Sequence, residues 1–144
     1  MATLERAIQI AVEAHSGQTD KAGQPYILHP LRVMLSLKTE DQRIVAVLHD
    51  VVEDCEGWNF EVLEAEGFNP RIIKALQSVT KREDGDEGYD DFVRRAMEND
   101  IGRPVKRADL MDNMDIMRIS EPTEADFKRL ARYRQAIKIL DGDC

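Results

Sequence analysis

His49, Asp50, Glu53 and Asp54 fall within the six-residue stretch "HDVVED", separated only by Val51 and Val52. Three carboxylates and an imidazole at that density repel one another unless a cation sits among them. Placed on a helix at about 100° per residue, Ile44, Val47, Leu48, Val51 and Val52 share one side, while His49, Asp50, Glu53 and Asp54 share the other with Ala46. His49/Glu53 and Asp50/Asp54 then become neighbours across one turn. Acidic runs on exposed faces are common, so this segment alone reads equally well as a solvated helix face.

Two further segments add donors. In "KRADLMDNMDIM", Asp109, Asp112, Asn113 and Ile116 share a helix face, with Leu110, Met114 and Met117 on another. In "PYILHP", His29 stands between an apolar residue and a proline, where a lone histidine is more often a satisfied structural residue. Taken together, the segments supply His29, His49, Asp50 and Asp109, a mixed nitrogen and oxygen set without thiolate. Such a set suits Mn²⁺, Fe²⁺ or Zn²⁺ with open positions, as in a catalytic site and not a closed structural one. Glu53 and Asp54, one turn beyond, are then candidates to orient or deprotonate an attacking water.

Helices must position these groups. Periodicity of three and four residues runs through most of the chain and no segment alternates like a half-buried strand, so the expected fold class is all-α. Leu4, Ala7, Ile8, Ala11, Val12 and His15 form one stripe behind Thr3 as cap, with Gly17 as the stop. Gly23 and Pro25 mark a loop, and Pro30 begins the next helix with His29 at the junction. A helix capped by Thr39 and Gln42 is expected to run to about Asp54, before Gly57. A short helix over 59–67 follows, then one capped by Asn69 and Pro70 that buries Ile72, Ile73, Leu76 and Val79. "KREDGDEGYDD" reads as a polar loop, loosest at 82–91, and further helices are expected over roughly 89–99, 104–118 and 124–140. The last lies behind Thr123, with Phe127, Leu130, Ala131, Ile137 and Leu140 apolar.

Composition narrows the function. The 144 residues suit one domain, 1–144, with 42% hydrophobic and 33% charged residues. No apolar run is long enough for a bilayer span, and "MATLERAIQIAVEAHSG" lacks the unbroken apolar core of a signal peptide, so a cytoplasmic location and no membrane partner are expected. Cys55 and Cys144 have no disulfide or CxxC spacing. A formal net charge of −8 argues against a nucleic-acid groove, while leaving room for one small anion focused by a metal and a few cations.

The ordered segments "AHSGQ", "KAGQPYILHP", "VAVLHDVVEDC", "VTK" and "VKRADLMDNM" resemble the HD-type metal-dependent phosphohydrolases. Within them the likeness is to the hydrolase domain of RelA/SpoT-type alarmone enzymes and to the small stand-alone alarmone hydrolases. The resemblance implies an all-helical HD-domain bundle that uses Mn²⁺ to remove pyrophosphate from the 3′ position of (p)ppGpp. It implies His29, His49, Asp50 and Asp109 as metal ligands and Glu53 and Asp54 as the pair that activates water. Lys21, Tyr26, Asn113 and Lys106 match nucleotide-site positions. Zn²⁺ or Fe²⁺ are alternatives to Mn²⁺, and the expected partner is a small nucleotide or phosphoester. The chain departs from the resembling family at Asp20, Leu110, Asp112 and Asp115, where basic residues are usual. A carboxylate there is expected to repel a polyanion, so another nucleotide or small phosphoester, or a non-catalytic nucleotide or metal sensor, stands as the alternative.

Overall fold

Thr3 and Thr39 each accept the backbone N–H three residues on, from Arg6 and Gln42, both at 3.1 Å. The helices they cap start where the side-chain pattern requires. The structure is a computed structural model describing residues 2–82 and 85–142. Among these residues it contains α1 (Leu4–Ala14), α2 (Leu28–Leu35), α3 (Glu40–Leu48), α4 (Val51–Asp54), α5 (Phe60–Ala65), α6 (Pro70–Ser78), α7 (Tyr89–Met97), α8 (Gly102–Asn113) and α9 (Glu124–Leu140). A 3-10 turn at Ile116–Arg118 links the last two. The expected all-α class holds, and the sole β-type pairing among described residues is an isolated bridge between Thr19 and Pro25.

Helix α3 is the centre of the main core. Ile44 through Leu48 are all buried, and α1, α2, α6 and α8 pack around them. A smaller core forms where α9 lies over α7 and α8, through Val93, Leu110, Ala136, Ile139 and Leu140. Helices α6 and α8 meet so closely at Gly102 that a Cβ there would stand 2.1 Å from Ser78 Oγ. Asn59, Asn69 and Thr123 cap α5, α6 and α9 as their sequence positions require, and α1 ends at His15 with Gly17 at φ +84°.

Three expectations change. The helix expected from Thr39 to Asp54 is broken at His49 and Asp50 into α3 and α4. There the Ala46 carbonyl takes both the His49 backbone N–H, at 3.4 Å, and the ring Nδ1 of His49, and the ladder resumes with Asp54 N–H to the Asp50 carbonyl at 3.0 Å. The helix expected over 104–118 starts at Gly102 and ends at Asn113. In α9, Phe127 is 54% exposed and Ala131 is also exposed, because only the C-terminal half of that helix meets the smaller core. The 82–91 loop lies partly outside the described residues, as does Cys144, and α7 begins within it at Tyr89. Among the described residues no helix is long and apolar enough to cross a membrane.

Candidate metal centre

Three places in the fold converge. The first turn of α2 carries His29, the break between α3 and α4 carries His49 and Asp50, and the third turn of α8 carries Asp109. One donor atom each from His29, His49 and Asp50 lie within 4.8 Å of one another. Asp109 joins them, its Oδ1 standing 2.9 Å from His29 Nε2 and 3.2 Å from His49 Nε2. Asp50 Oδ2 is 3.0 Å from His49 Nε2 and 3.7 Å from His29 Nε2. All four side chains are at least 87% buried.

The proton pattern of the rings is fixed on their outer sides. His29 Nδ1 donates to Asp112 Oδ2 at 2.6 Å, and His49 Nδ1 donates to the Ala46 carbonyl. In the neutral imidazole the remaining lone pair is then on Nε2, aimed at carboxylate oxygens. A lone pair facing a carboxylate at these distances needs a proton or a metal cation between them, and two imidazoles with two carboxylates are donors that fit a divalent ion. Without the ion, protons fill the role. Burial alone would push His49 down, but Asp50 and Asp109 outweigh it and hold its pKa well above the usual range. Asp109 is held well below the carboxylate range by Lys106, His49 and His29 against its burial.

The surrounding groups orient the cluster. Tyr26 donates its hydroxyl to Asp50 Oδ2 at 2.5 Å, with its ring packed between His15 and His29 at 4.9 and 5.8 Å. Burial and the Asp50 charge push that phenol's pKa far up, so it remains a donor. Asn113 donates to Asp109 Oδ1 at 3.1 Å and Lys106 Nζ to Oδ2 at 3.3 Å. Lys106 differs from the nucleotide-site expectation. It is buried, sits 4.6 Å over the Phe92 ring with its charge committed to Asp109, and lines neither the cavity that reaches His29 nor the one at Glu53 and Asp54.

One cavity opens beside His29. Lys21, Tyr26 and Asn113 line it as expected of a nucleotide site, and so do Arg32, Arg118 and Arg129, which sequence reasoning missed. Each of these arginines has an aspartate partner: Arg32 pairs with Asp112 at 2.7 Å, Arg118 with Asp115 at 3.5 Å, and Arg129 with Asp126. The spacing of Arg32 three residues after His29 on α2 is the signal that could have found it. Asp20 and Asp112, expected to repel a polyanion, are both engaged by groups of this chain. Asp20 Oδ1 accepts the N–H groups of Ala22 and Gln24, both at 2.9 Å, and so closes the loop before Tyr26. Asp112 is enclosed by His29, Arg32 and Arg118.

Glu53 and Asp54 are exposed on α4 and line a second cavity with Lys81 and Arg82. Glu53 Oε1 accepts the Lys81 N–H at 2.7 Å. Partial desolvation in that cleft, together with nearby Asp50, pushes both carboxyls above the usual range. Arg95 braces the cleft, bonding Glu87 and the carbonyl of Thr80, each at 2.8 Å.

Comparison with known proteins points to one domain family, among relatives named both as pyrophosphohydrolases and as GTP pyrophosphokinases. An HD domain profile matches residues 7–101, which take in His29, His49 and Asp50 but stop before Asp109. A guanosine-3′,5′-bis(diphosphate) 3′-pyrophosphohydrolase of Aquifex aeolicus is 32% identical over 77% of this chain and 17% of its own length. One from Vibrio cholerae is 31% identical over 90% of this chain and 20% of its own length, so the chain spans a fifth or less of the curated relatives it matches. A solved structure described as a metazoan ortholog of SpoT that hydrolyzes ppGpp aligns with a TM-score of 0.75 at 23% identity, over 97% of this chain and 85% of the other. At that identity the likeness carries the fold alone.

Proposed function

The chain belongs to the HD domain family, and on that premise we propose that it is a metal-dependent phosphohydrolase acting on a nucleotide phosphoester or 3′-pyrophosphate, with (p)ppGpp a candidate substrate. The observation that carries this reading is the pair of buried imidazoles whose Nδ1 protons are engaged and whose Nε2 atoms face Asp50 and Asp109. His29, His49, Asp50 and Asp109 would hold the cation, with Mn²⁺ the first choice and Zn²⁺ or Fe²⁺ alternatives. When bound, the ion supplies Lewis acidity toward a phosphoryl oxygen and lowers the pKa of water.

The remaining steps belong to the chain's own groups. Of Glu53 and Asp54, whose pKa values are both raised, one takes a proton from the attacking water while the other steers it; the P–O bond to the leaving group breaks as the new one forms, and the carboxyl returns its proton to the departing oxygen. Tyr26 and Asn113 hold the two carboxylates of the cluster in place. The cavity beside His29 receives the rest of the nucleotide: Tyr133, Leu130, Ile116 and Ile119 offer apolar surface to a base, and Lys21, Arg32, Arg118 and Arg129 face its phosphates. The test is a Mn²⁺-supplemented screen of ppGpp and a nucleotide panel with wild type and Asp109→Ala. One activity lost in the variant is expected. A wild type that binds Mn²⁺ and turns over no phosphoester refutes the enzymatic reading.

A second reading keeps the same fold and cavity as a nucleotide sensor without turnover. Unchanged nucleotide affinity and absence of product in both wild type and Glu53→Gln would support it.

A further inference from the structure

We propose that Asp112 is a positioning residue of the metal centre, holding the His29 ring so that Nε2 addresses the cluster while Arg32 and Arg118 hold the Asp112 carboxylate in turn. The inference rests on His29 being a ligand, as proposed above, and it assigns a task to a position where the resembling family has a basic residue.

His29 and Arg32 are three residues apart on α2, and Asp109 and Asp112 are three apart on α8, so two side chains of one helix face two of the other. His29 bridges both carboxylates, with Nε2 2.9 Å from Asp109 and Nδ1 2.6 Å from Asp112. Arg32 grips the same Asp112 carboxylate at both oxygens, at 2.7 and 3.0 Å, in the planar two-point arrangement a lysine could not make. Arg118 donates to the Asp112 carbonyl at 2.7 Å and stands 3.5 Å from Oδ2. Two guanidinium groups thus balance the carboxylate, which can orient the imidazole and raise its donor strength without leaving uncompensated charge beside the metal ligands. His49 is oriented differently, by the main-chain carbonyl of Ala46. Of the two rings, only His29 has a side-chain partner on Nδ1 that mutation can remove. Because Arg32 and Arg118 also line the adjoining cavity, Asp112 joins that cavity's cations to the metal ligand.

The experiment is titration of the metal-free full chain with Mn²⁺ alone, followed by the paramagnetic resonance signal of the free ion. Asp112→Leu, which removes the acceptor, should weaken Mn²⁺ binding about 10- to 100-fold. Asp112→Asn, which keeps an acceptor oxygen but no charge, should fall between it and wild type. Asp141→Asn, which removes an ion pair with Arg107 away from the site, should bind as wild type. In ¹⁵N spectra of the metal-free protein, the hydrogen-bonded Nδ1 proton of His29 should be lost in Asp112→Leu and kept in Asp112→Asn, while that of His49, held by the Ala46 carbonyl, should be kept in both, whereas general loosening of the fold would lose the two together. Mn²⁺ affinity in Asp112→Leu within about twofold of wild type, against the larger loss expected for such partners, overturns the proposal. If Asp112→Leu loses its cooperative melt, Asp112→Asn and Arg32→Met carry the test, and wild-type affinity in both overturns it. A wild type that takes up no stoichiometric Mn²⁺ refutes the metal reading itself, and the positioning role with it.

Discussion

Chelating the divalent cation should lower the melting temperature, and the drop should grow as the pH rises. In the metal-free protein the charges of Asp50 and Asp109 are met by protons on the two histidines. His49 is held well above its usual range by Asp50 and Asp109 in spite of burial, and His29 is raised by Asp109 and Asp112 against the same opposition. A histidine whose folded pKa exceeds its unfolded value contributes stability that is complete below about pH 6.5 and lost as the pH climbs through the folded pKa. The metal-free protein therefore weakens from neutral pH upward. The cation requires unprotonated Nε2 atoms, so its affinity moves the opposite way. With Mn²⁺ at about one hundred times its dissociation constant, binding stabilises the native state by about 2.7 kcal/mol. An unfolding entropy of about 2.1 cal/mol/K per residue amounts to about 0.3 kcal/mol/K for 144 residues, so the gap in melting temperature is about 9 °C. Thermal scans in chelator and in Mn²⁺, from about pH 6 to about pH 8 across the histidine range, measure it. A gap of zero, or one that narrows with rising pH, refutes the reasoning.

Asp109→Ala should abolish that gap and cost about 3–5 kcal/mol in the metal-free protein, because His29, His49 and Lys106 lose a shared buried partner. A Mn²⁺-dependent melt surviving in the variant counts against the ligand set. Glu53→Gln should keep the Mn²⁺ gap and lower phosphoester hydrolysis by about 10²–10⁴-fold, and unchanged turnover removes Glu53 from the chemistry. Asp115→Arg, by reversing one charge on the cavity wall, should raise the affinity for a nucleoside tetraphosphate relative to a monophosphate. An unaltered ratio argues that the phosphates lie elsewhere. Gly102→Ala should destabilise by about 1–3 kcal/mol, or about 3–10 °C on the same conversion, since its Cβ would meet Ser78 Oγ at 2.1 Å. Adding Ser78→Ala should restore part of the loss, and a melt that the second change leaves untouched places the strain at another contact.

Local rules made most helices legible. The Thr3, Thr39, Asn59, Asn69 and Thr123 caps are short-range devices, visible wherever side chain and N–H lie three residues apart. The donors His29, His49, Asp50 and Asp109 could be named because their types are costly without a partner, and the fold does bring them together. Neither rule reaches across the chain. The engagement of Asp112 joins residues 80 and 83 positions apart, so the sequence shows an aspartate where a base is usual and nothing of the arginine that answers it. Arg118 and Arg129 escaped notice for the same reason, being brought to one cavity by the turn after α8 and by α9. Lys106 misled in the other direction. Its spacing from Asp109 is compatible with a substrate contact or an internal ion pair, and only burial decides for the latter.

The break between α3 and α4 shows why helical periodicity alone could not assign roles within "HDVVED". On an unbroken helix, His49, Asp50, Glu53 and Asp54 would share one face and one exposure. Instead, the Ala46 carbonyl is taken by the backbone and ring of His49, and the chain turns at Asp50. His49 and Asp50 are thereby directed into the buried cluster, while Glu53 and Asp54 begin a new turn on the exposed wall of the adjoining cleft. That separation is what the proposed chemistry needs. Groups that bind a cation must be dehydrated and held rigidly, whereas groups that exchange protons with water must stay reachable by it. The valines serve the same end: Val45, Val47 and Val51 are fully buried and fix both helix segments to the core.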